Sequence, residues 1–225
     1  MSIEKITLIS TGLNTGALMS QFFAKELPEI SIHNVVDDSL VKEIIANNNV
    51  INVIPPGVVR RVCSYVISAE MSGADLVVIT CSSISVIARV AQHSVGIPVM
   101  RIDEPMAELA VERADRIKVL ATISSTLNPS VQLIEEKSRQ QGKEVVLGSF
   151  LCERARQFLD EGNPEGHDRI LREEIEKALK NFDIVVLAQA SMGRVLDTLD
   201  VEKRRSVLTS PALAIEHIKR KFLLS

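Results

Sequence analysis

Cys81 and Gln189 occupy matching places in two copies of one pattern. Cys81 lies in DLVVITCSSIS, Asp75–Ser85, and Gln189 in DIVVLAQASMG, Asp183–Gly193. Each copy opens on an acidic residue, runs through four branched apolar residues and passes into small and polar ones. The offset is constant, 183 − 75 = 108 and 189 − 81 = 108, so Ser83 also matches Ser191. A thiol can take up and release a proton. Cys81 is followed by Ser82, Ser83 and a helix start, where exposed amides and the helix dipole favour the thiolate. The competing reading is a small buried cysteine of a strand. It fits less well, because Cys81 sits in the polar tail and not in the apolar run before it.

A short run of branched apolar residues predicts a strand buried on both faces. A polar tail at the carboxyl end of such a strand is where open α/β sheets bind ligands. The two copies are therefore expected to be equivalent strands of two similar halves, their tails facing one cleft. The rest of the chain supports the duplication. Ile6–Ser10 and Ile117–Ala121 read as opening strands, and 117 − 6 = 111 sets Thr11 against Thr122. In each half the expected order is strand, helix, strand, helix, helix, strand, helix, strand, helix. Such alternation predicts a parallel sheet per half with helices on both faces. The expected division is 1–115 for the first half, with a last helix 211–225 packing back on it, and 116–210 for the second.

Local signals place the elements. Thr11–Gly16 is not a dinucleotide or ATP loop: its glycines are four apart and no Lys-Ser/Thr follows. It remains a strand-to-helix loop whose Thr11, Asn14 and Thr15 can present hydroxyls, an amide and backbone N–H groups to an anion. Ser39 is the expected N-cap of a helix ending at Asn47–Asn49, and Pro55-Pro56-Gly57 turns into the next helix, closed by Gly73. A helix is expected through Val86, Ile87 and Val90. Asp103-Glu104-Pro105 opens another, and Asn128-Pro129 reads as an N-cap and Pro that start a third, ended by Gly142. Val145–Leu147 reads as a strand, Leu151–Leu159 as a helix, and Glu161–His167 as a polar loop.

Composition removes several classes of function. The net charge is −3, which argues against nucleic acid or an anionic membrane as a partner. No apolar run reaches the length of a membrane span. The three cysteines, Cys63, Cys81 and Cys152, are far apart and odd in number, against a disulfide framework or zinc knuckle. Cys63 falls in an apolar stripe and Cys152 has no polar partner in sequence, so both read as core. His33, His93, His167 and His217 form no HxH or HExxH spacing, so no metal is expected. The start MSIEKITLIS has no basic-then-apolar signal, and a cytoplasmic protein is expected.

Taken together, the opening strand with its Thr11–Thr15 loop, VVITCSS, IPVMRIDEPMAELA, VLATISSTLNPS and VVLAQASM resemble the aspartate/glutamate/hydantoin racemase superfamily over nearly the whole chain. The resemblance implies two pseudo-symmetric α/β domains with the active site in the cleft between them. It also implies no cofactor, a small carboxylate substrate and a homo-oligomer, a dimer or larger. Members use one cysteine per half to move the proton on the carbon next to a carboxylate. Cys81 matches the first. By resemblance Asn14, Ser82, Ser83, Thr122, Ser125, Thr126, Ala190 and Ser191 hold the carboxylate, and Glu104 matches an acidic position near the site. Glu104 can equally be a helix-start carboxylate. The second cysteine's position holds Gln189, and an amide neither takes nor gives a proton near neutral pH. Three readings follow. Cys81 moves the proton while Gln189 binds substrate or an enolate oxygen; Glu104 or water is the second base; or the chain is a lyase of the arylmalonate decarboxylase type. A non-catalytic carboxylate binder is the alternative from another class. Among Arg60, Arg101 and Arg194, Arg194 is the best candidate for a second carboxylate.

Overall fold

The computed structural model describes residues 3–47 and 54–223. Two compact units emerge, Met1–Ile102 with Pro211–Ser225 and Asp103–Ser210. The division falls at 102/103 and not at 115/116, because the helix Glu104–Arg113 packs on elements of the second unit.

In the first unit, β1 (Lys5–Ser10), β2 (Ser31–Val36), β3 (Leu76–Ile79) and β4 (Val99–Arg101) form a parallel sheet in the order β2-β1-β3-β4. Four helical elements join them: α1 (Leu13–Glu26), α2 (Ser39–Ala46), α3 (Pro56–Met71), and a broken piece, α4 (Ser82–Ser85) then α5 (Ala88–Ala91). The central strand β3 is LVVI, buried at all four positions, as a strand covered on both faces must be. The edge strand β2 is largely exposed. Val58, Val62 and Val66, spaced by four on α3, enter the core against β1 and β3 together with Ile9, Val77 and Ile79.

The second unit repeats this plan. After α6 (Glu104–Arg113) come β5 (Arg116–Ala121), α7 (Ser124–Gln141), β6 (Val146–Leu151), α8 (Glu153–Asp160), α9 (Pro164–Ala178), β7 (Ile184–Leu187), a 3-10 segment Ala190–Thr198, α10 (Val201–Arg205) and β8 (Val207–Thr209). The sheet order is β6-β5-β7-β8, all parallel. Ile6 pairs with Leu76 and Ile117 with Ile184, so the register between the central strands is also repeated. The last helix, α11 (Ser210–Ile218), follows β8.

The acidic residue that opens each repeated run has a structural task. Asp75 Oδ2 accepts from the backbone N–H groups of Glu4 and Lys5, both at 2.9 Å. Asp183 Oδ2 accepts from Arg116 N–H at 3.0 Å, and Arg116 Nη2 donates to Oδ1 at 2.6 Å. Each carboxylate thus fastens the amino ends of two central strands, roughly 20 Å of extended chain from Cys81 or Gln189.

Several local expectations change. α1 begins at Leu13, so Asn14 and Thr15 lie in its first turn and the loop shrinks to Thr11-Gly12. Gly16 is a packing glycine: a Cβ there would meet Asn34 Nδ2 and Val36 Cγ2 at 3.0 Å. Ser39 is the first residue of α2 and donates its N–H and hydroxyl to Asp37. Of the asparagines expected to end α2, Asn47 is its C-cap, and Asn48 and Asn49 lie outside the described residues. α7 starts at Ser124, leaving Asn128-Pro129 inside it. β6 extends through Leu151, and α9 starts at Pro164, making His167 helical and buried.

Candidate functional site

A chain that leaves β1 for β2 and returns to β3 on the other side creates a switch point between β1 and β3, with a crevice beyond their carboxyl ends. Ser10, Thr11, Thr80 and Cys81 stand there. Ser10 Oγ and Thr80 Oγ1 are hydrogen-bonded at 2.8 Å, with either as the donor; the other hydroxyl keeps its proton for its own neighbour, Ile9 O at 3.1 Å from Thr80 Oγ1 or Asn34 Oδ1 at 3.2 Å from Ser10 Oγ. These bonds join the strand ends one residue below Cys81. Cys81 is half-buried, its backbone still extended (φ −121, ψ 119), and its apolar side rests on the core containing Ile79 and Ile84. Ser82 and Ser83 are buried in the single turn of α4. The expected helix after Cys81 breaks at Val86-Ile87, so the dipole available to the thiol is that of one turn. Thr11 is half-buried, and Asn14 and Thr15 are exposed on the first turn of α1.

The second unit has its switch point between β5 and β7. Gln189 Oε1 accepts from Thr122 N–H at 2.6 Å and from Thr122 Oγ1 at 3.1 Å, so the carboxamide bridges the two strand ends. Thr126 donates its hydroxyl back to Ile123 O at 2.8 Å within the first turn of α7. Ser125 is half-buried on that turn, Ala190 half-buried and Ser191 exposed at the start of the 3-10 segment. The structure therefore brings Gln189, Thr122, Ser125, Thr126, Ala190 and Ser191 to one edge of the second sheet.

Glu104 is not with them. Its carboxylate accepts from Lys137 Nζ, which also donates to Glu108 at 2.8 Å. Lys137 is 137 − 124 = 13 residues into α7, roughly 20 Å along the axis from the first turn. Burial of Lys137 pushes its ammonium down, and the two carboxylates more than offset this, so its pKa ends above the usual lysine value. With an oxygen already committed to a buried ammonium, Glu104 fits the helix-start reading better than that of a second base.

Two clusters were missed from sequence. At the carboxyl end of β2, Asp37 accepts from Tyr65 at 2.8 Å and Arg61 at 3.0 Å as well as from Ser39. Burial pushes its carboxyl up, but these donors prevail and hold it below the usual aspartate value. In the second unit, Asp168 Oδ1 meets His167 Nδ1 at 2.8 Å and Oδ2 meets Arg194 Nη2 at 2.9 Å. His167 is 1% exposed and its Nε2 has no partner among the described residues. α9 runs back towards the amino end of β7, so this first turn lies at the same sheet edge as Gln189. Arg194, the expected ligand of a second carboxylate, is held there by Asp168. The pairing of Ser10 with Thr80 had a visible signal, hydroxyl residues ending both strands; the clusters of Asp37 and Asp168 had none.

A site at the carboxyl ends of parallel strands in each of two repeated α/β units defines a class, and comparison with known proteins identifies it. Residues 10–218 match the Asp/Glu/Hydantoin racemase family, and the chain belongs to that family. By sequence, no curated protein matches. Among solved structures, the fold is similar to a candidate Asp/Glu racemase from Yersinia pestis (TM-score 0.70, 14% identity, covering 98% of this chain and 100% of that one). It is also similar to allantoin racemase from Klebsiella pneumoniae (0.65, 17%, 98% and 88%). Glutamate racemase from Francisella tularensis, in complex with D-glutamate, gives 0.67 at 18% identity, covering 98% and 81%. Among the described residues, no helix is long and apolar enough to cross a membrane.

Proposed function

We propose that this protein is a cofactor-independent isomerase, racemase- or epimerase-like, that moves a proton at the carbon α to a carboxylate, with Cys81 as the acid/base. The observation that carries this is the place of Cys81: a half-buried thiol at the carboxyl end of a central strand, beside the switch point, in a chain of the racemase family. The thiolate removes the α-proton to give an enediolate, and a proton returns to the same carbon, from the thiol on the same face for exchange or from water on the opposite face for the slower inversion. Thr11, Asn14, Thr15 and the amides of Ser82 and Ser83 supply donors for the carboxylate from the first unit. Thr122, Ser125, Thr126, Ala190 and Ser191 line the matching edge of the second. The reading requires both strand ends to serve one small acid.

Gln189 favours a second reading. No thiol stands at the matching point of the second half, so a decarboxylase in which loss of carbon dioxide forms the enediolate and Cys81 protonates it fits the same residues. The test is a panel of α-substituted acids and malonates incubated in deuterated buffer with wild type and Cys81→Ala. An isomerase incorporates deuterium at the α-carbon without gas release; a lyase releases carbon dioxide and delivers one deuterium. Unchanged turnover in Cys81→Ala removes both readings. Ligand binding with no exchange and no gas in the wild type leaves a carboxylate binder.

A further inference from the structure

Gln189 stands where the duplication would place a counterpart of Cys81, and its hydrogen bonds determine which end of its amide is available. A backbone N–H can only donate. The group that Thr122 N–H meets at 2.6 Å must therefore be the amide oxygen, and the Thr122 hydroxyl adds a second donor to it at 3.1 Å. Amide orientation is otherwise an assignment from the surrounding network; here the neighbouring N–H dictates it. Gln189 is half-buried, its amide nitrogen is not among the buried unpartnered atoms, and no described residue accepts from it. Both strands that carry the pair are buried and central in the second sheet, so the orientation has a rigid support.

We infer that Gln189 is an oriented hydrogen-bond donor at the carboxyl edge of the second sheet, built to take an oxygen of a bound carboxylate through Nε2, and that Thr122 is the positioning residue that sets it. The inference rests on the reading of this edge as part of the acid-binding site. It revises the role of Thr122, whose N–H and hydroxyl both face Gln189 and are withdrawn from the substrate cradle. It also defines the chemistry of the second half. A fixed donor stabilises an oxygen that gains negative charge when the α-proton is removed, without itself exchanging a proton. The second half thus binds the developing oxyanion while the first half moves the proton.

Nitrogen-15 NMR of the full chain tests this, with malonate as the probe. The Gln189 side-chain resonances are assigned by their loss in Gln189→Ala. Malonate is expected to shift the Gln189 Nε2 protons and to leave the Thr122 backbone amide in place and slow to exchange. Gln189→Glu keeps an acceptor for Thr122 but replaces the donor by a carboxylate oxygen; malonate affinity should fall at least tenfold with the Thr122 amide still protected. Thr122→Val keeps the N–H, and should change affinity by no more than a few-fold while broadening or doubling the Gln189 signal. The inference is overturned if malonate displaces the Thr122 amide while Gln189 stays unmoved. It is overturned equally if neither group responds at any malonate concentration reached, or if Gln189→Glu binds as tightly as wild type. Failure of the acid/base reading would look different: Cys81→Ala would retain α-proton exchange, with the response of the Gln189 amide to malonate unaffected.

Discussion

The carboxyl edges of the two sheets solve one problem in two ways. In the first, the central strands are tied one residue below their tips by Ser10 and Thr80, and Cys81 is left outside the tie. In the second, Ala121 and Ala188 occupy those places (10 + 111 and 80 + 108), and the tie is made one residue higher, between Thr122 and Gln189. The backbone plan is the same; the polar connection has moved from beneath the tip to the tip itself. A tip side chain outside the tie can react. One inside it is committed to holding the strands and can act only through the atom left over.

The strongest way to break the comparison is to give the second edge the tip of the first. Gln189→Cys places a thiol on the second edge; if the proposed function holds, this second thiol permits deprotonation of the substrate carbon from the other face. The wild type should exchange deuterium into one enantiomer of a suitable acid, and the variant into both, with loss of optical rotation. Cys81→Ala should lower exchange about 10²–10⁴-fold, the usual contribution of a general acid–base group. Rapid racemisation by wild type, undiminished in Gln189→Ala, would mean a second base elsewhere.

Next in size is the reactivity of the thiols themselves. Cys152 is 2% exposed, and burial, helped by Glu174, pushes its thiol up to about 12. Burial also pushes Cys63 up, to a smaller extent. Alkylation followed by mass spectrometry at neutral pH should mark Cys81 first, Cys63 more slowly and Cys152 last. Labelling of Cys63 ahead of Cys81 would undo the assignment of the site. Malonate should protect Cys81.

Copying the alanines of the second edge into the first is a gentler perturbation. Ser10→Ala with Thr80→Ala removes a buried hydroxyl pair whose neighbour Asn34 loses a donor, and should lower stability by about 1–3 kcal/mol in urea unfolding. A neutral result would mean that the tie is not what holds these strand ends.

The smallest effect lies at the opposite end of the strands. The hydrogen bond from Arg116 holds the Asp183 carboxyl below the usual aspartate value. Its contribution to stability is therefore complete above that value and is lost as pH falls through the lower folded one. Asp183→Asn should flatten the acid limb of the stability curve slightly, solvent screening keeping the change small. An acid limb identical to wild type would assign no weight to the pair.

The strands were legible because their residues are buried on both faces, and continuous branched runs such as LVVI and IVVL have few other uses. The duplication, a parallel sheet in each half and Cys81 at a strand tip followed from those runs and their offsets, whereas the order of the strands within each sheet did not. Helix starts were less legible, and the two Asn-Pro pairs explain why. At Asn163-Pro164 the pair does begin a helix, Asn163 Oδ1 accepting from Gly166 N–H at 2.8 Å, yet the polar residues around it read as loop. At Asn128-Pro129 the helix is already under way, having begun at Ser124 behind an apolar N-cap, Ile123, that gives no sequence signal. Proline is free of cost only in the first turn, where its missing N–H would have no helical partner; Pro129 lies beyond that turn and forgoes a bond to the carbonyl four residues earlier, so it does not mark the start of α7. Lys137 with Glu104, Asp168 with Arg194, and Thr122 with Gln189 are separated by 33, 26 and 67 residues (137 − 104, 194 − 168, 189 − 122). Such pairings belong to the packed fold, and no local pattern announces them.

The division of the chain also has a consequence for its synthesis. The second unit is a continuous stretch of 210 − 103 + 1 = 108 residues, whereas the first is interrupted by it and completed by Pro211–Ser225. Ala214, Ile215 and Ile218 of α11 are buried, so the returning segment brings core side chains and not an ornament. As the polypeptide leaves the ribosome, the later unit can close on itself before the earlier one has received its last piece. The unit that carries Cys81, though made first, is then the last to be finished. Joining its two parts means closing a long loop, whose entropic cost grows only slowly with length and is further reduced if the intervening unit has already folded. Removal of residues 211–225 should accordingly weaken the unit that was translated earliest and spare the one beside the truncation.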